Sequence, residues 1–328
     1  MRHLTSLLNL TSVEVREILS LSAKLKQQTK KGKRAALCER RVLTQVFEKP
    51  SLRTRVSFEA GMGQLGGQSI FMSSKEAGFE GRETKEDISR VLGSYSDVIV
   101  LRTFSQELIE TFAQHAGCPV INGLSDDYHP CQALTDVLTI EELSGNIAGK
   151  RIVYVGDGNN VARSLAIACG HLGASLTVAA PVGYELPDEF VTMARSRFPK
   201  LALDQSHEPH DAVRKADVIY TDVWASMGQE AEKEKRTREF ADFQVNTKLL
   251  ETAGPQVLFM HCLPARRGLE VTEDVMDDPR SVVFQQAENR MHLAKGLIVW
   301  LLKHAEGRPA RTGKRAVKAA KKKRRSRR

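Results

Sequence analysis

The sequence has no long apolar run and no regular cysteine spacing, and these two absences exclude several classes of protein. The longest wholly apolar run near its end, residues 297–302, is far shorter than the roughly 20 residues that a membrane-spanning helix needs. Residues 1–4 lead into no continuous apolar segment, so we expect no signal peptide. The five cysteines, at positions 38, 118, 131, 169 and 262, show neither a disulfide framework nor a metal-site spacing. We therefore expect a reduced, cytoplasmic protein without a membrane segment.

Acidic residues are missing from the last part of the chain. Residues 308–328 contain twelve Lys or Arg and no Asp or Glu, whereas the rest has 37 basic and 40 acidic residues. The net charge of +9 therefore belongs to the tail, and the body has no overall charge bias towards nucleic acid. We expect residues 307–328 to be a disordered basic tail. It could bind nucleic acid or an anionic surface by counterion release, or simply remain solvated.

Length and patterning predict two domains of the α/β class. The chain has 328 residues, of which 41% are hydrophobic, enough for two cores of ordinary size. Apolar runs typical of buried strands alternate with amphipathic stretches. A turn cluster at residues 143–146 marks the boundary, which gives a first domain at 1–144 and a second at 145–306.

Residues 47–59 predict a strand–turn–helix junction suited to an anion. The mainly apolar run 42–47 reads as a buried strand, Ser51 stands where a helix cap would stand, and a helix should begin near Arg53. Free backbone N–H groups at a helix start attract anions, and an arginine can clamp two phosphate oxygens. The alternative is an ordinary helix cap followed by a solvated basic turn.

The same segment resembles a known signature. Ser-Leu-Arg-Thr-Arg at 51–55, preceded by Phe-Glu-Lys-Pro, resembles the carbamoyl-phosphate signature of the aspartate/ornithine carbamoyltransferase family. Further matches follow in the family's order: Arg102, His-Pro-Cys-Gln at 129–132, His-Cys-Leu-Pro at 261–264 and Gln-Gln-Ala-Glu-Asn-Arg-Met-His at 285–292. The resemblance thus extends over nearly the whole chain.

The resemblance implies a fold and a first half-site. It implies two doubly wound domains, each with a central, mainly parallel sheet, and a last helix at about 286–305 that packs back on the first domain. Arg102 follows the buried strand 97–101, at the sheet edge where ligands bind in open α/β folds. The residues implied to bind carbamoyl phosphate are Ser51, Leu52, Arg53, Thr54, Arg102, His129, Gln132 and Arg290.

Residues 156–161 look like a dinucleotide fingerprint after the strand 151–155. Val161 occupies the third glycine position, and no acidic residue ends a second strand about 20 residues on, so a nicotinamide-dependent enzyme is a weak alternative. The family has Gly-Asp-x-x-Asn-Asn here, and its second asparagine, matching Asn160, binds the amino-acid substrate.

The resemblance implies that the second half of the site, which holds the amino acid, lies at the ends of two later strands. Asp222 ends the strand 216–221 and suits a substrate ammonium, although a helix cap is the alternative. Ser-Met-Gly at 226–228 resembles the family's ornithine-binding loop, and the Leu263–Pro264 bond is implied to be cis. The residues implied to hold ornithine are Asn160, Asp222, Ser226, Met227, Cys262 and Leu263. Those implied to take part in catalysis are Arg102, His129, Cys262 and Arg290.

The implied reaction moves the carbamoyl group of carbamoyl phosphate to the δ-amine of L-ornithine, giving L-citrulline and phosphate. No metal or organic cofactor is expected, because carbamoyl phosphate is already activated. The resemblance also implies a homotrimer in which a loop around Arg82 serves a neighbour's site. Two alternatives stay open: an acylated ornithine as acceptor, or a nucleic-acid-associated factor that uses the basic tail on a retired enzyme fold.

Overall fold

The computed structural model describes residues 1–225 and 230–306, and its nine named strands form two sheets. The strands of the first sheet are Val42–Phe47 (β1), Gln68–Ser73 (β2), Val98–Arg102 (β3) and Val120–Leu124 (β4). Those of the second sheet are Arg151–Val155 (β5), Ser175–Ala179 (β6), Leu203–Ser206 (β7), Val218–Thr221 (β8) and Leu258–His261 (β9). The sheet orders are β2-β1-β3-β4 and β7-β6-β5-β8-β9, and every pairing between named strands is parallel. The predicted α/β class is confirmed.

Helices connect these strands. They are Ser12–Lys30 (α1), Leu52–Gln64 (α2), Lys85–Tyr95 (α3), Gln106–His115 (α4), Pro130–Ser144 (α5), Asn160–Leu172 (α6), Asp188–Arg197 (α7), Pro209–Ala212 (α8), Lys233–Glu239 (α9), Thr247–Ala253 (α10), Glu273–Met276 (α11) and Val283–Glu306 (α12). Short 3₁₀ turns occur at Leu7–Asn9, Glu230–Glu232 and Ala241–Phe243. Over the described ranges, no helix combines the length and the apolar character needed to cross a bilayer.

The first helix shows how local sequence fixes an element. The hydroxyl of Thr11 accepts a hydrogen bond from the backbone N–H of Glu14, whose carboxylate accepts one from the backbone N–H of Thr11. This reciprocal cap satisfies two donors that a helix start would otherwise leave unpaired. Val15, Ile18 and Leu19 then lie on the buried face, so α1 is fixed at its start and along its side.

The last helix returns to the first sheet's side of the molecule, as predicted. α12 packs against α1, α2 and α5, and it begins at Val283, three residues before the predicted start. Its closest approach is at Gly296, where a Cβ would lie 2.8 Å from the Cα of Ser22 on α1. The absence of a side chain at 296 therefore allows the two helices to pack backbone against backbone.

The parallel arrangement collects the strand ends into a few places. Phe47 at the end of β1 is paired in register with Arg102 at the end of β3. In the second sheet, Thr221 at the end of β8 is paired with His261 at the end of β9. The residues that follow these ends are consequently neighbours, although they are far apart in the sequence.

Candidate active site

A cleft of about 820 Å³ lies between the loops that follow the strands of the two sheets. It is lined by all twelve predicted site residues that fall within the described ranges: Ser51, Leu52, Arg53, Thr54, Arg102, His129, Gln132, Asn160, Asp222, Cys262, Leu263 and Arg290. The other two predicted residues, Ser226 and Met227, lie outside the described residues. The cleft therefore joins both predicted half-sites.

The start of α2 forms one corner of the cleft. Ser51 caps the helix, because its Oγ accepts a hydrogen bond of 3.3 Å from the backbone N–H of Thr54. The Thr54 hydroxyl in turn accepts a bond of 2.8 Å from a terminal nitrogen of Arg290. The predicted cap at Ser51 is confirmed, and the helix begins at Leu52, one residue before the predicted start. This corner presents the positive end of a helix dipole to the cleft.

Three arginines converge beside this corner. Burial, together with the charges of Arg290 and Arg53, lowers the pKa of Arg102 to about 10. Burial also lowers the pKa of Arg53 and of Arg290. Like charges held together in a partly desolvated place repel one another, and an anion with two negative charges relieves that repulsion. The corner is therefore suited to a phosphate group.

His129 lies next to the arginines at the start of α5. Burial holds the pKa of its imidazole well below the usual value, and the charges of Arg290 and Arg102 act in the same direction. The ring is therefore neutral at neutral pH, with one nitrogen able to donate. Its backbone N–H donates a bond of 2.8 Å to the hydroxyl of Ser164, which ties α5 to α6.

Gln132 contacts a charged group at each end of its side-chain amide. Its Nε2 donates a bond of 2.8 Å to the carboxylate of Asp136, and its Oε1 accepts a hydrogen bond from Arg290. Gln132 and Asp136 are both fully buried on α5. The amide carbonyl of Gln132 is therefore directed to the arginine side of the cleft.

Asp222 and Cys262 form the opposite side of the cleft. The thiol of Cys262 donates a hydrogen bond of 3.0 Å to the Asp222 carboxylate, which also accepts bonds from Asn159 and from the backbone of Val223. These donors lie outside the first turn of any named helix, so they give no support to the alternative that Asp222 is a helix cap. Burial, reinforced by the charge of Asp222, holds the pKa of Cys262 well above the usual value. Cys262 is thus a protonated thiol.

Two further predicted residues are held by backbone contacts. The side-chain amide of Asn160 donates a bond of 2.6 Å to the carbonyl of Ser125. The backbone N–H of Leu263 donates a bond of 2.8 Å to Nδ1 of His261, and the Leu263–Pro264 peptide bond is cis, as predicted. The N–H of Leu263 is thus engaged within its own turn.

Arg236 is a cleft residue that the sequence did not reveal. It is buried, and it donates hydrogen bonds of 2.7 Å to the Asp157 carboxylate and of 2.9 Å to the carbonyl of Trp224. Asp157 lies in the segment Gly-Asp-Gly-Asn-Asn at 156–160 and could have been noticed there. Arg236 sits in a run of charged residues on α9, where nothing distinguishes it from its solvated neighbours.

The dinucleotide alternative is disfavoured by the packing of Gly158. A Cβ at this position would lie 2.5 Å from the backbone carbon of Glu185, and the Gly158 N–H donates to the carbonyl of Tyr184. The glycine thus accommodates a close approach of the chain itself, at the turn where a pyrophosphate would have to sit. Arg82 is exposed and does not line the cleft of its own chain.

Three potential metal ligands lie close together at the end of β9. The ligand atoms of Asp222, His261 and Cys262 are within 4.8 Å of one another. Each is engaged, since Cys262 donates to Asp222, while the two ring nitrogens of His261 contact the Leu263 N–H and Glu270. These side chains already satisfy one another without an ion.

The fold and the cleft define a class: a two-sheet α/β protein with an arginine-rich anion site opposite a carboxylate–thiol pair. Comparison with known proteins gives the family. The model of the carbamoyl-P binding domain of aspartate/ornithine carbamoyltransferases matches residues 2–142, and that of the Asp/Orn binding domain matches residues 148–301. The chain belongs to the aspartate/ornithine carbamoyltransferase family, which confirms the predicted carbamoyltransferase class.

Individual relatives agree over most of the chain. It is 48% identical over 303 residues to an ornithine carbamoyltransferase of Pyrococcus abyssi, and the aligned region covers 92% of this chain and 96% of the relative. A Bacillus subtilis ornithine carbamoyltransferase is 45% identical over 307 residues, covering 93% and 95%. The solved ornithine carbamoyltransferase of Pyrococcus furiosus superposes with a TM-score of 0.89 at 47% identity, covering 92% of this chain and 97% of that one.

Proposed function

We propose that this chain transfers the carbamoyl group of carbamoyl phosphate to the δ-amine of L-ornithine, yielding L-citrulline and phosphate. The observation that carries the proposal is the polarity of the cleft. The cleft is lined by the basic groups Arg53, Arg102 and Arg290, and by the Asp222–Cys262 pair that follows the strands β8 and β9. An anionic carbamoyl donor fits the arginines and a cationic amino acid fits the carboxylate, and the relatives named above are ornithine carbamoyltransferases.

The phosphate is held at the arginine corner. The α2 start offers backbone N–H groups with the hydroxyls of Ser51 and Thr54, and Arg53 and Arg102 add charge-assisted hydrogen bonds. Leu52 contributes its backbone position at the first residue of the helix. Because these donors are fixed before the substrate arrives, little reorganisation opposes binding.

The carbonyl group is polarised by Arg290 and by the neutral His129. Attack of the amine places negative charge on the carbonyl oxygen, and donors already aimed at that oxygen stabilise it. The Oε1 of Gln132 accepts from the carbamoyl NH₂ and thereby orients the group. Removal of one such donor typically costs about 3–4 kcal/mol of transition-state stabilisation.

The amino-acid end of ornithine lies on the second half-site. The Asp222 carboxylate binds the α-ammonium, and Asn160 contacts the same end; Ser226 and Met227 are assigned there on their sequence match alone. The δ-amine lies beside Cys262 and the Leu263 carbonyl. A free alkylamine is mostly protonated at neutral pH, so the productive complex contains the neutral amine.

Bond changes in this reaction balance without a dedicated base. The δ-nitrogen bonds to the carbonyl carbon, the bond from that carbon to the phosphate oxygen breaks, and the departing phosphate takes the proton from nitrogen. Cys262 is unsuited to that proton transfer, because its raised pKa keeps it a thiol that donates to Asp222. Positioning of the two reactants supplies on the order of 7–11 kcal/mol of the barrier reduction.

The test is citrulline formation from carbamoyl phosphate, with L-ornithine, N-acetylornithine, putrescine and aspartate compared as acceptors. Turnover with ornithine alone supports the proposal. Turnover with one of the other three amines instead would support carbamoyl transfer but contradict ornithine as the acceptor. The acylated-ornithine alternative predicts activity with N-acetylornithine; Ser-Met-Gly at 226–228 and Cys262 argue against it.

A homotrimer in the cytoplasm is the assembly and location we propose. Leu52, Val56 and Ile70 are exposed apolar residues on the neighbouring elements α2 and β2, and β2 is a sheet edge. A subunit face of this kind needs a partner. Light scattering after size exclusion should give three times the chain mass of 36.5 kDa. The described part of the chain contains no disulfide bond, which is consistent with a reducing compartment.

The domain division at 144/145 remains our proposal. α5 ends at Ser144, and Gly145 follows with a φ of +81°, in the left-handed region that favours glycine. Limited proteolysis should cut in this connection before it cuts within either sheet.

The basic tail either binds an anionic partner weakly or is a solvated segment without a specific partner, and truncation separates the two alternatives. Residues 307–328 lie outside the described residues, and the proposal rests on their charge alone. Truncation after Gly307 should abolish any salt-sensitive binding to nucleic acid while leaving citrulline formation unchanged. Loss of turnover in the truncated chain would show that the tail serves the enzyme instead.

A further inference from the structure

We propose that Asp136 is a positioning residue for carbamoyl transfer, because its buried carboxylate sets the orientation of two glutamine amides: that of Gln132, which lines the cleft, and that of Gln286, which holds the strand end before Cys262. The inference rests on the proposed function and extends it to a residue that does not line the cleft. Its Oδ1 accepts hydrogen bonds from Nε2 of Gln132 at 2.8 Å and from Nε2 of Gln286 at 2.7 Å. All three side chains are essentially inaccessible to solvent.

The first amide fixes the carbamoyl side. A glutamine amide has a donor end and an acceptor end, and Oδ1 of Asp136 accepts whether or not the carboxyl carries a proton on Oδ2, so Nε2 of Gln132 faces it. Oε1 then faces Arg290, which donates to it. The reversed amide would place an NH₂ group against a guanidinium, with two donors in contact and a buried arginine bond lost. Asp136 therefore selects the orientation in which Gln132 offers an acceptor to the carbamoyl NH₂.

The second amide fixes the ornithine side. Nε2 of Gln286 faces Asp136 and also lies 3.2 Å from the hydroxyl of Tyr220, while its Oε1 accepts a bond of 3.0 Å from the backbone N–H of His261. His261 ends β9 and immediately precedes Cys262. Reversal of this amide would oppose an NH₂ to the His261 N–H. The same carboxylate thus holds the strand end that presents Cys262.

These contacts form one continuous chain across the protein. It runs from Arg290 through Gln132, Asp136 and Gln286 to the backbone of His261. α5 carries Asp136, α12 carries Gln286 and β9 carries His261, so the hydrogen-bond chain connects three elements from different parts of the sequence. Asp136 is thereby connected both to the cleft residue Gln132 and to the strand end that precedes Cys262.

Substitution can separate the negative charge of Asp136 from its role as a hydrogen-bond acceptor. Burial raises the pKa of Asp136 to about 7, and even the neutral carboxyl keeps a carbonyl oxygen. Oδ2 has no hydrogen-bond partner among the residues that the structure describes, so an amide nitrogen can take its place. Asp136→Asn therefore keeps the acceptor, whereas Asp136→Leu removes it at similar size.

The experiment measures binding of carbamoyl phosphate and of inorganic phosphate by calorimetry, which requires no acceptor amine. We expect Asp136→Leu to weaken the binding of carbamoyl phosphate at least tenfold and the binding of phosphate less than threefold, because Gln132 contacts only the carbamoyl group. Asp136→Asn should stay within about threefold of wild type for both. Equal losses for the two ligands, or no loss for either, would overturn the inference in favour of a purely structural carboxylate.

A double-mutant cycle tests whether Asp136 acts through Gln132. In the Gln132→Ala background, Asp136→Leu should change carbamoyl phosphate affinity by less than twofold. A full tenfold effect in that background refutes the coupling.

If Asp136→Leu does not fold, Gln286→Met replaces it. The KM for ornithine should then rise about tenfold while the affinity for carbamoyl phosphate stays unchanged. An unchanged KM for ornithine would refute the contact between Asp136 and Gln286. Wild-type turnover, measured alongside, reports on the proposed function separately.

Discussion

The thiol of Cys262 donates a hydrogen bond of 3.0 Å to the carboxylate of Asp222, and this pair links the ends of two neighbouring strands. Burial and the nearby carboxylate hold the pKa of the thiol well above its ordinary value. The thiolate form is therefore scarce at neutral pH, although the residue lines an open cleft. The pair fixes the Asp222 carboxylate, for which we propose a substrate ammonium as the ligand, and keeps the cysteine unreactive.

Cys262 should react slowly with iodoacetamide. Because only the thiolate attacks, we expect its alkylation at pH 7.5 to be at least tenfold slower than that of a free cysteine. The rate is measured by mass spectrometry of the peptide that contains residue 262, and added ornithine should slow it further. Faster labelling than the free amino acid would contradict the assigned protonation state. Cys262→Ser, which keeps a donor to Asp222, should bind ornithine more tightly than Cys262→Ala.

Arg53→Ala should nearly abolish turnover while leaving the fold intact. The side chain lies in the anion corner, and loss of a charged contact that strengthens in the transition state costs about 3–4 kcal/mol, or 10²–10³ in rate. Arg55→Ala is the matched control, since Arg55 is exposed, contacts Glu59 and Phe71, and does not line the cleft. Steady-state kinetics and circular dichroism on both variants test this. Near-normal activity of Arg53→Ala would refute the assigned anion site.

The imidazole of His129 should stay neutral well below pH 6.5. Burial and two arginines hold its pKa well below the usual value, whereas the unfolded chain protonates the same ring near pH 6.5. Protonation therefore favours the unfolded state. The free energy of unfolding should decrease as the pH falls below about 6.5, because the unfolded chain then binds a proton that the folded protein does not. NMR of ring-labelled protein, with His129→Gln to assign the signal, measures the pKa. A value at or above 6.5 would contradict the neutral donor role.

Gly296→Ala should destabilise the protein. Its Cβ would lie 2.0 Å from Oγ and 2.8 Å from the Cα of Ser22, so α12 must move away from α1 at a cost of about 1–3 kcal/mol. Gly63→Ala on α2 is the control, because nothing lies within 4 Å of a Cβ there, and alanine should stabilise the helix by up to about 1 kcal/mol. Urea unfolding of both variants gives the free energies. Equal stability of the two would contradict the close helix contact.

The sequence predicted the residues that line the cleft more completely than the residues that hold them in place. Arg102 and Asp222 could be found because each ends or directly follows a recognisable strand, and the carboxyl ends of parallel strands gather at one edge. Ser51 could be found because it stands at a helix-cap position shortly after a strand. Arg236 and the role of Asp136 could not be found, because each depends on partners distant in the sequence. The Arg236–Asp157 contact joins residues 79 positions apart, and the Asp136–Gln286 contact joins residues 150 apart.

The sequence by itself determined the local elements: the capping box at Thr11, the helix start at Ser51 and the apolar strands, all of which depend on near neighbours in the chain. It also determined the family through short signatures in a set order. Only the tertiary structure decided which way the Gln132 amide points, that His129 is neutral and that Cys262 is a protonated thiol. Those properties arise from burial and from charges brought close by folding, and distance in space is not written in the order of residues.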